Sequence, residues 1–283
     1  MQPEPEISIL DSVGVDGLAN PLAAAVSQRD KNVLSLVRRS LDRKDVLLAF
    51  QPVVEARRTD HTAFYEGLIR VVDDTGRIIP AKDFIDVCET NEIGRIMDCL
   101  ALELGLTSLS RAPNLRLAIN MSARSIGYPR WTKTLEEGLQ ADATAGERLI
   151  IEITESSAIL MPDITKVFME RLQDMGISFA LDDFGAGYTA FRHLRDLDFD
   201  IIKIAGEFIT GIHANPDNRI LTQALVSIAQ QFDMLTVAEA VESQADALLL
   251  SQMGVDCLQG FFFGVPTTRP TWPEFPSRAR STA

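Results

Sequence analysis

Seven carboxylates, Glu66, Glu152, Glu155, Asp182, Asp183, Glu239 and Glu242, stand at or just past the ends of apolar runs in AFYEGLIR, RLIIEITES, ISFALDDFG and MLTVAEAVE. The runs are rich in β-branched and aromatic residues, as strands are. A buried acid without a partner costs roughly several kcal/mol, so acids converging from separate strand ends need cations, donors or water between them. A cluster of oxygen donors favours hard ions such as Mg²⁺ or Mn²⁺.

The elements that would gather these acids are read from periodicity. Strands are predicted near 46–54, 63–70, 115–120, 148–153, 177–183, 199–204, 234–238 and 255–258, with amphipathic helical stretches such as FIDVCETNEIGRIMDCLALELGLTSL and RILTQALVSIAQQF between most of them. Alternating β and α with eight strands predicts an α/β fold, a (β/α)₈ TIM-type barrel, whose polar strand ends line one mouth. Residues 56–62 are too few for a crossover helix, so the first two strands are expected to pair antiparallel. Residues 1–30 read as an N-terminal arm or linker, 31–270 as the barrel domain and 271–283 as a C-terminal tail.

The 283 residues are 46% hydrophobic and 24% charged, ordinary for one large domain with a buried core. A net charge of −13 argues against binding a nucleic-acid polymer, because the long-range field repels phosphate. A phosphate ligand would need a metal or local Arg and Lys. Cys88, Cys99 and Cys257 are too few and too scattered for a disulfide framework and read as small buried hydrophobes, pointing to a cytoplasmic location. No run resembles a signal peptide or a membrane span. His61, His193 and His213 lack ligand spacing and are expected at the surface or at helix caps.

Eight segments, FQPVV, YEGLIR, INMSARS, IEITES, LDDFGAGYTAFRHL, IIKI, VAEAVE and LQGFFFGVP, resemble, in order, the motif series of EAL domains. The resemblance implies a barrel with one antiparallel strand and either a cyclic di-GMP phosphodiesterase yielding linear pGpG or a catalytically weak or inactive cyclic di-GMP receptor acting through a protein partner. A domain used only for protein interaction is a third possibility. By the same resemblance, Glu66, Asn120, Glu152 and Asp182 would ligate a first metal. Asp182 would bridge to a second beside Asp183, giving two Mg²⁺ or Mn²⁺ ions per site. Lys203 would contact the attacking water or the phosphate, and Glu239 would act as general base supported by Glu242. Glu155 would order the loop beginning at DDFGAGY, where Gly185 and Gly187 allow tight turns. Gln51, Leu68, Arg70 and Gln259 would lie on the ligand side. A homodimer, with a contact near the loop after Asp183, and an upstream sensor or GGDEF domain are the partners the family suggests.

Singly, many of these residues admit plainer roles: DDFG as an Asx-turn, Lys203 as a snorkelling surface lysine, Glu239 and Glu242 as loop decoration. The ordered series outweighs those readings. The FFF run at 261–263 is expected to be barrel packing. Three positions depart from the family pattern: Gly67 for Ala, Ala205 for Asp, and Ala240 for Gly. Only Ala205 removes a functional group, and Ala240 is mild if its backbone has negative φ.

Overall fold

A computed structural model describes residues 21–186 and 191–272 of the chain. In order they form α1 (Pro21–Asp42), β1 (Val46–Glu55), β2 (Arg58–Val72), β3 (Ile78–Ile79), α2 (Ile85–Glu89), α3 (Glu92–Arg111), β4 (Leu117–Asn120), α4 (Pro129–Ala141) and β5 (Leu149–Thr154). There follow α5 (Glu155–Leu160), α6 (Pro162–Gln173), β6 (Ser178–Phe184), α7 (Phe191–Asp196), β7 (Ile201–Ile204), α8 (Gly206–Ile209), α9 (Pro216–Gln231), β8 (Leu235–Ala238), α10 (Gln244–Gln252) and β9 (Cys257–Gln259).

The sheet runs β1-β9-β8-β7-β6-β5-β4-β2 and closes through β1 on β2, with the two-residue β3 appended to β2. This is the eight-stranded barrel the alternation predicts. β1 is antiparallel to both of its neighbours and the other barrel pairings are parallel. The short β1–β2 connection dictates this, since a two-residue turn can only reverse the chain.

The barrel interior carries an apolar layer with one residue from each strand: Val53, Phe64, Ala118, Ile150, Ala180, Ile201, Val237 and Cys257. A larger apolar shell lies between strands and helices and includes Leu117, Ile151, Phe179, Ile202 and Leu258. These residues alternate with the interior set, as period-2 side-chain orientation requires.

Three features depart from the sequence reading. Residues 21–30 are helical, not a loose arm, because LAAAV supplies strong helix formers that run straight into the periodic segment after Asn32. The long helical stretch before Arg111 divides into α2 and α3 at Thr90 and Asn91, where Asn91 is extended. Trp272 sits within the expected tail, yet its ring meets Phe50 at 5.0 Å and Tyr65 at 5.1 Å, both edge-on. Residues 1–20 and 273–283 of the expected arm and tail lie outside the described residues.

Candidate active site

Two residues along each strand from the apolar layer, eight polar side chains follow: Gln51, Glu66, Asn120, Glu152, Asp182, Lys203, Glu239 and Gln259. A step of two keeps each on the face of its layer residue, which brings the eight together above the apolar plug. On β1 the step is backwards, from Val53 to Gln51, because that strand runs the other way. The register sets Gln51 beside Glu66 and Asn120 beside Glu152. Glu239 lies just past β8, its amide donating to Ile204 O at 3.2 Å.

Lys203, only 1% exposed, is the hub. Its Nζ lies 2.8 Å from Asp182, 2.8 Å from Glu239, 3.0 Å from Glu152 and 3.5 Å from Glu66. Amides complete the network. Asn120 donates to Glu66 Oε1 at 2.8 Å and Gln259 donates to Glu66 Oε2 at 2.6 Å and Gln51 Oε1 at 3.2 Å. Gln51 in turn donates to Gly264 O at 3.1 Å.

Burial alone would lower the lysine pKa, but the acids around it, Asp182 foremost, raise it well above the ordinary value. Burial likewise opposes the charge on Glu66, yet Lys203 and the amide donors outweigh it and lower that pKa. Glu152 goes the other way: burial and then the Glu66 charge push it well above the carboxylate range. Burial pushes Glu239 up to about 8 against the pull of Lys203, and raises Asp183, which also feels Asp182.

The remaining expected residues surround this ring. Glu66, Leu68, Glu239, Glu242 and Gln259 line a cavity of about 280 Å³ with Gly206, Ala240 and Phe261. Glu242 is exposed at its rim. Asp183 takes a positive φ of 54°, strained for a residue with a side chain, beside Gly185 at φ 96°. Glu155 begins α5 and accepts the Gly185 amide at 3.2 Å, tying this acid to the start of the loop after β6. Gly187 and the rest of that loop through residue 190, including the expected dimer contact, fall outside the described residues. Arg70 follows Glu66 and Leu68 on one face of β2. Its half-buried guanidinium donates to Ile69 O at 3.1 Å, and burial lowers its pKa although Glu66 opposes the shift.

Two readings need correction. Phe261 is 65% exposed and Phe262 47%, so the aromatic run is not uniformly core. Only Phe263 packs against the main cluster. Ala240 has φ 50°, so its replacement of a family glycine falls where a side chain is strained. The sequence reading missed Asp98 on α3, which gives no signal because it sits inside a helical pattern. Its carboxylate accepts Ser125 Oγ at 2.5 Å and the Ser122 amide at 3.1 Å, pinning the turn just after Asn120.

Burial pushes Asp98 up to about 7 although both donors oppose the shift. The residue keeps some solvent contact but its carboxyl is enclosed. A folded-state pKa above the unfolded one means that the native state holds this proton more tightly, so its contribution to stability falls as pH rises from about 4 to about 7. Asp98→Asn is expected to flatten that slope and to be more stable than the wild type at pH 8 by roughly 1–3 kcal/mol. Urea unfolding at pH 4.5 and 8 reads this, and an unchanged slope would refute it.

The ring holds four acids against one lysine, with Asp183, Glu155 and Glu242 close by. Gln259 Oε1, buried beside the acids, accepts no hydrogen bond within the protein. Excess carboxylate and spare oxygen donors suit a hard divalent cation. Among the described residues no three acids stand as a ready metal cage, since they gather around the Lys203 ammonium. Among the described residues no helix is long and apolar enough to cross a membrane.

Comparison with known proteins agrees with this architecture. Cyclic di-GMP phosphodiesterase PdeF of Escherichia coli (strain K12) is 26% identical over 238 residues, 83% of this chain and 32% of that protein. The bifunctional diguanylate cyclase/cyclic di-GMP phosphodiesterase MucR of Pseudomonas aeruginosa is 28% identical over 247 residues, 86% of this chain and 36% of that protein. The chain therefore spans about a third of the length of these curated relatives. The solved structure of the PaMucR phosphodiesterase in complex with c-di-GMP matches with a TM-score of 0.72 at 27% identity, covering 83% of this chain and 97% of that one. The FimX EAL domain from Pseudomonas aeruginosa bound to c-di-GMP shares the fold, with a TM-score of 0.77 at 23% identity over 84% of this chain and 97% of that one. The family model described as EAL domain matches residues 35–266, and the chain belongs to the EAL domain family.

Proposed function

We propose that the chain is a metal-dependent phosphodiesterase that hydrolyses cyclic di-GMP to linear pGpG. The observation that carries this reading is the ring of eight polar side chains with four acids around one buried lysine. Glu66, Asn120, Glu152 and Asp182 would hold one Mg²⁺ or Mn²⁺, and Asp182 with Asp183 a second. Bound there, the ions supply charge neutralisation and a water acidic enough to give hydroxide near neutral pH.

The chain's own residues do the rest. Glu239, whose raised pKa the positive charge of bound ions would bring back down, takes the proton of the attacking water. That water's oxygen forms the new P–O bond as the bond to the ribose 3′ oxygen breaks, and the 3′ oxygen takes a proton from solvent. Lys203 keeps its charge throughout and offsets the charge growing on the phosphoryl oxygens. Glu155 holds the Gly185 turn beside the reacting centre. Arg70 offers a guanidinium to phosphate or a guanine edge, with Leu68, Gln51 and Gln259 shaping the ligand side. The exposed Phe261 ring at the cavity edge supports a role in covering a base.

Purified protein is expected to convert cyclic di-GMP to pGpG with Mg²⁺ or Mn²⁺ and to stop when the ion is chelated, as read by chromatography. Folded protein that binds the dinucleotide but gives no product with either ion would overturn the enzyme reading. A receptor is the second reading, and Ala205 favours it: this buried strand-end position has no carboxylate to support the lysine and the ions. Dinucleotide affinity by calorimetry without turnover is its signature.

A further inference from the structure

Ala240 combines two features that the reaction chemistry leaves unused. It sits at φ 50°, in the left-handed region, and a methyl placed at Gly206 would stand 2.7 Å from the Ala240 methyl. Carbon atoms do not approach so closely, so Ala240 has a side chain only because Gly206 has none. The turn it belongs to is held from the other side as well. The Glu239 amide donates to Ile204 O at 3.2 Å and the Val241 amide to Gln259 O at 2.9 Å. Gly260 is packed so tightly on the Val241 backbone that it leaves no room for a Cβ.

We propose that Ala240 is a positioning residue for Glu239: its methyl, seated on Gly206, wedges the turn 239–241 between the start of α8 and Gly260 and fixes the approach of Glu239 to Lys203. The turn carries the carboxylate that reaches Lys203 at 2.8 Å, and α8 begins three residues after that lysine. A shift at this contact therefore moves the two groups relative to each other. The left-handed backbone leaves Ala240 little freedom to retreat, so the contact sets a distance rather than merely filling space.

The proposal rests on the reading of Glu239 as the acceptor of the water proton, and a double-mutant cycle of Gly206→Ala and Ala240→Gly tests it. Gly206→Ala is expected to lower kcat for Mn²⁺-dependent cyclic di-GMP hydrolysis by about tenfold or more with little change in KM. Adding Ala240→Gly is expected to restore kcat to near that of Ala240→Gly alone, and urea unfolding should show the same non-additivity. If the wild type gives no product, the enzyme reading fails by itself. The cycle is then read through Mn²⁺ affinity by calorimetry, where the same loss and rescue support the contact. Should Gly206→Ala fail to fold, recovery in the double variant supports it too. Additive effects, a Gly206→Ala protein equal to wild type, or a double variant no better than Gly206→Ala would each overturn it.

Discussion

Lys203→Met is expected to destabilise the protein by roughly 3–5 kcal/mol at pH 7.5, because it leaves buried carboxylates without their shared cation. Three acids lie within 3.0 Å of the ammonium and Glu66 within 3.5 Å. In the wild type the raised lysine pKa contributes stability that is present below the unfolded value near 10.5 and is lost only as pH rises through the higher folded value. In the variant the balance passes to the carboxylates. Without the lysine their folded-state pKa values rise, so they bind protons more tightly folded than unfolded, and the variant regains stability as pH falls from 8 towards 5.5. Divalent ions offer replacement charge, so millimolar Mn²⁺ is expected to raise the variant's melting temperature more than the wild type's. Urea unfolding at pH 5.5 and 8, with thermal melts with and without Mn²⁺, checks the three statements. An equal loss at pH 5.5 and 8, unmoved by Mn²⁺, would mean that the lysine stem and not its charge is what the barrel needs.

The same ring explains how much of the site the sequence makes legible. Glu66, Glu152 and Asp182 stand out because an acid two residues beyond an inward apolar residue breaks the pattern of a buried strand. Lys203 is legible only through the resemblance of IIKI to the family motif, since by itself it reads as a snorkelling surface lysine. The eight strands follow from period, and the antiparallel pair from a gap at 56–62 too short for a crossover helix; the structure tightens that gap to a two-residue turn. What the sequence conceals is whatever depends on how loops meet. Ala240 takes its positive φ in a turn packed between the start of α8 and Gly260, and Asp98 reaches its turn only once α3 has packed. The FFF run reads as core by composition, but it lies beyond β9, where the chain leaves the barrel and Phe261 reaches the cavity edge. Helix at 21–30 was legible in LAAAV but masked by the Pro and Gly that precede it.

Ala205→Asp is expected to raise metal-dependent turnover by about 10–100-fold, the range for restoring an outer partner of a metal site. Ala205 is 3% exposed, follows Lys203 by two residues and is the N-cap of α8, where it makes no side-chain capping bond. An aspartate there acts in two ways that separate cleanly. As a cap it accepts an orphan amide of α8 and contributes about 1 kcal/mol with or without metal. As a carboxylate it joins a crowd in which Asp183 already feels Asp182, Glu66 and Glu207, so without metal its charge is repelled and offsets the capping gain. Divalent ions reverse that repulsion. The variant's stability in chelator is therefore expected to stay within about 1 kcal/mol of wild type, while its Mn²⁺ affinity rises with its turnover. Calorimetric Mn²⁺ titration beside kcat/KM reads both. A gain in stability with no change in Mn²⁺ affinity or turnover would make position 205 a helix cap and nothing more, and would remove the missing carboxylate as an argument for the receptor.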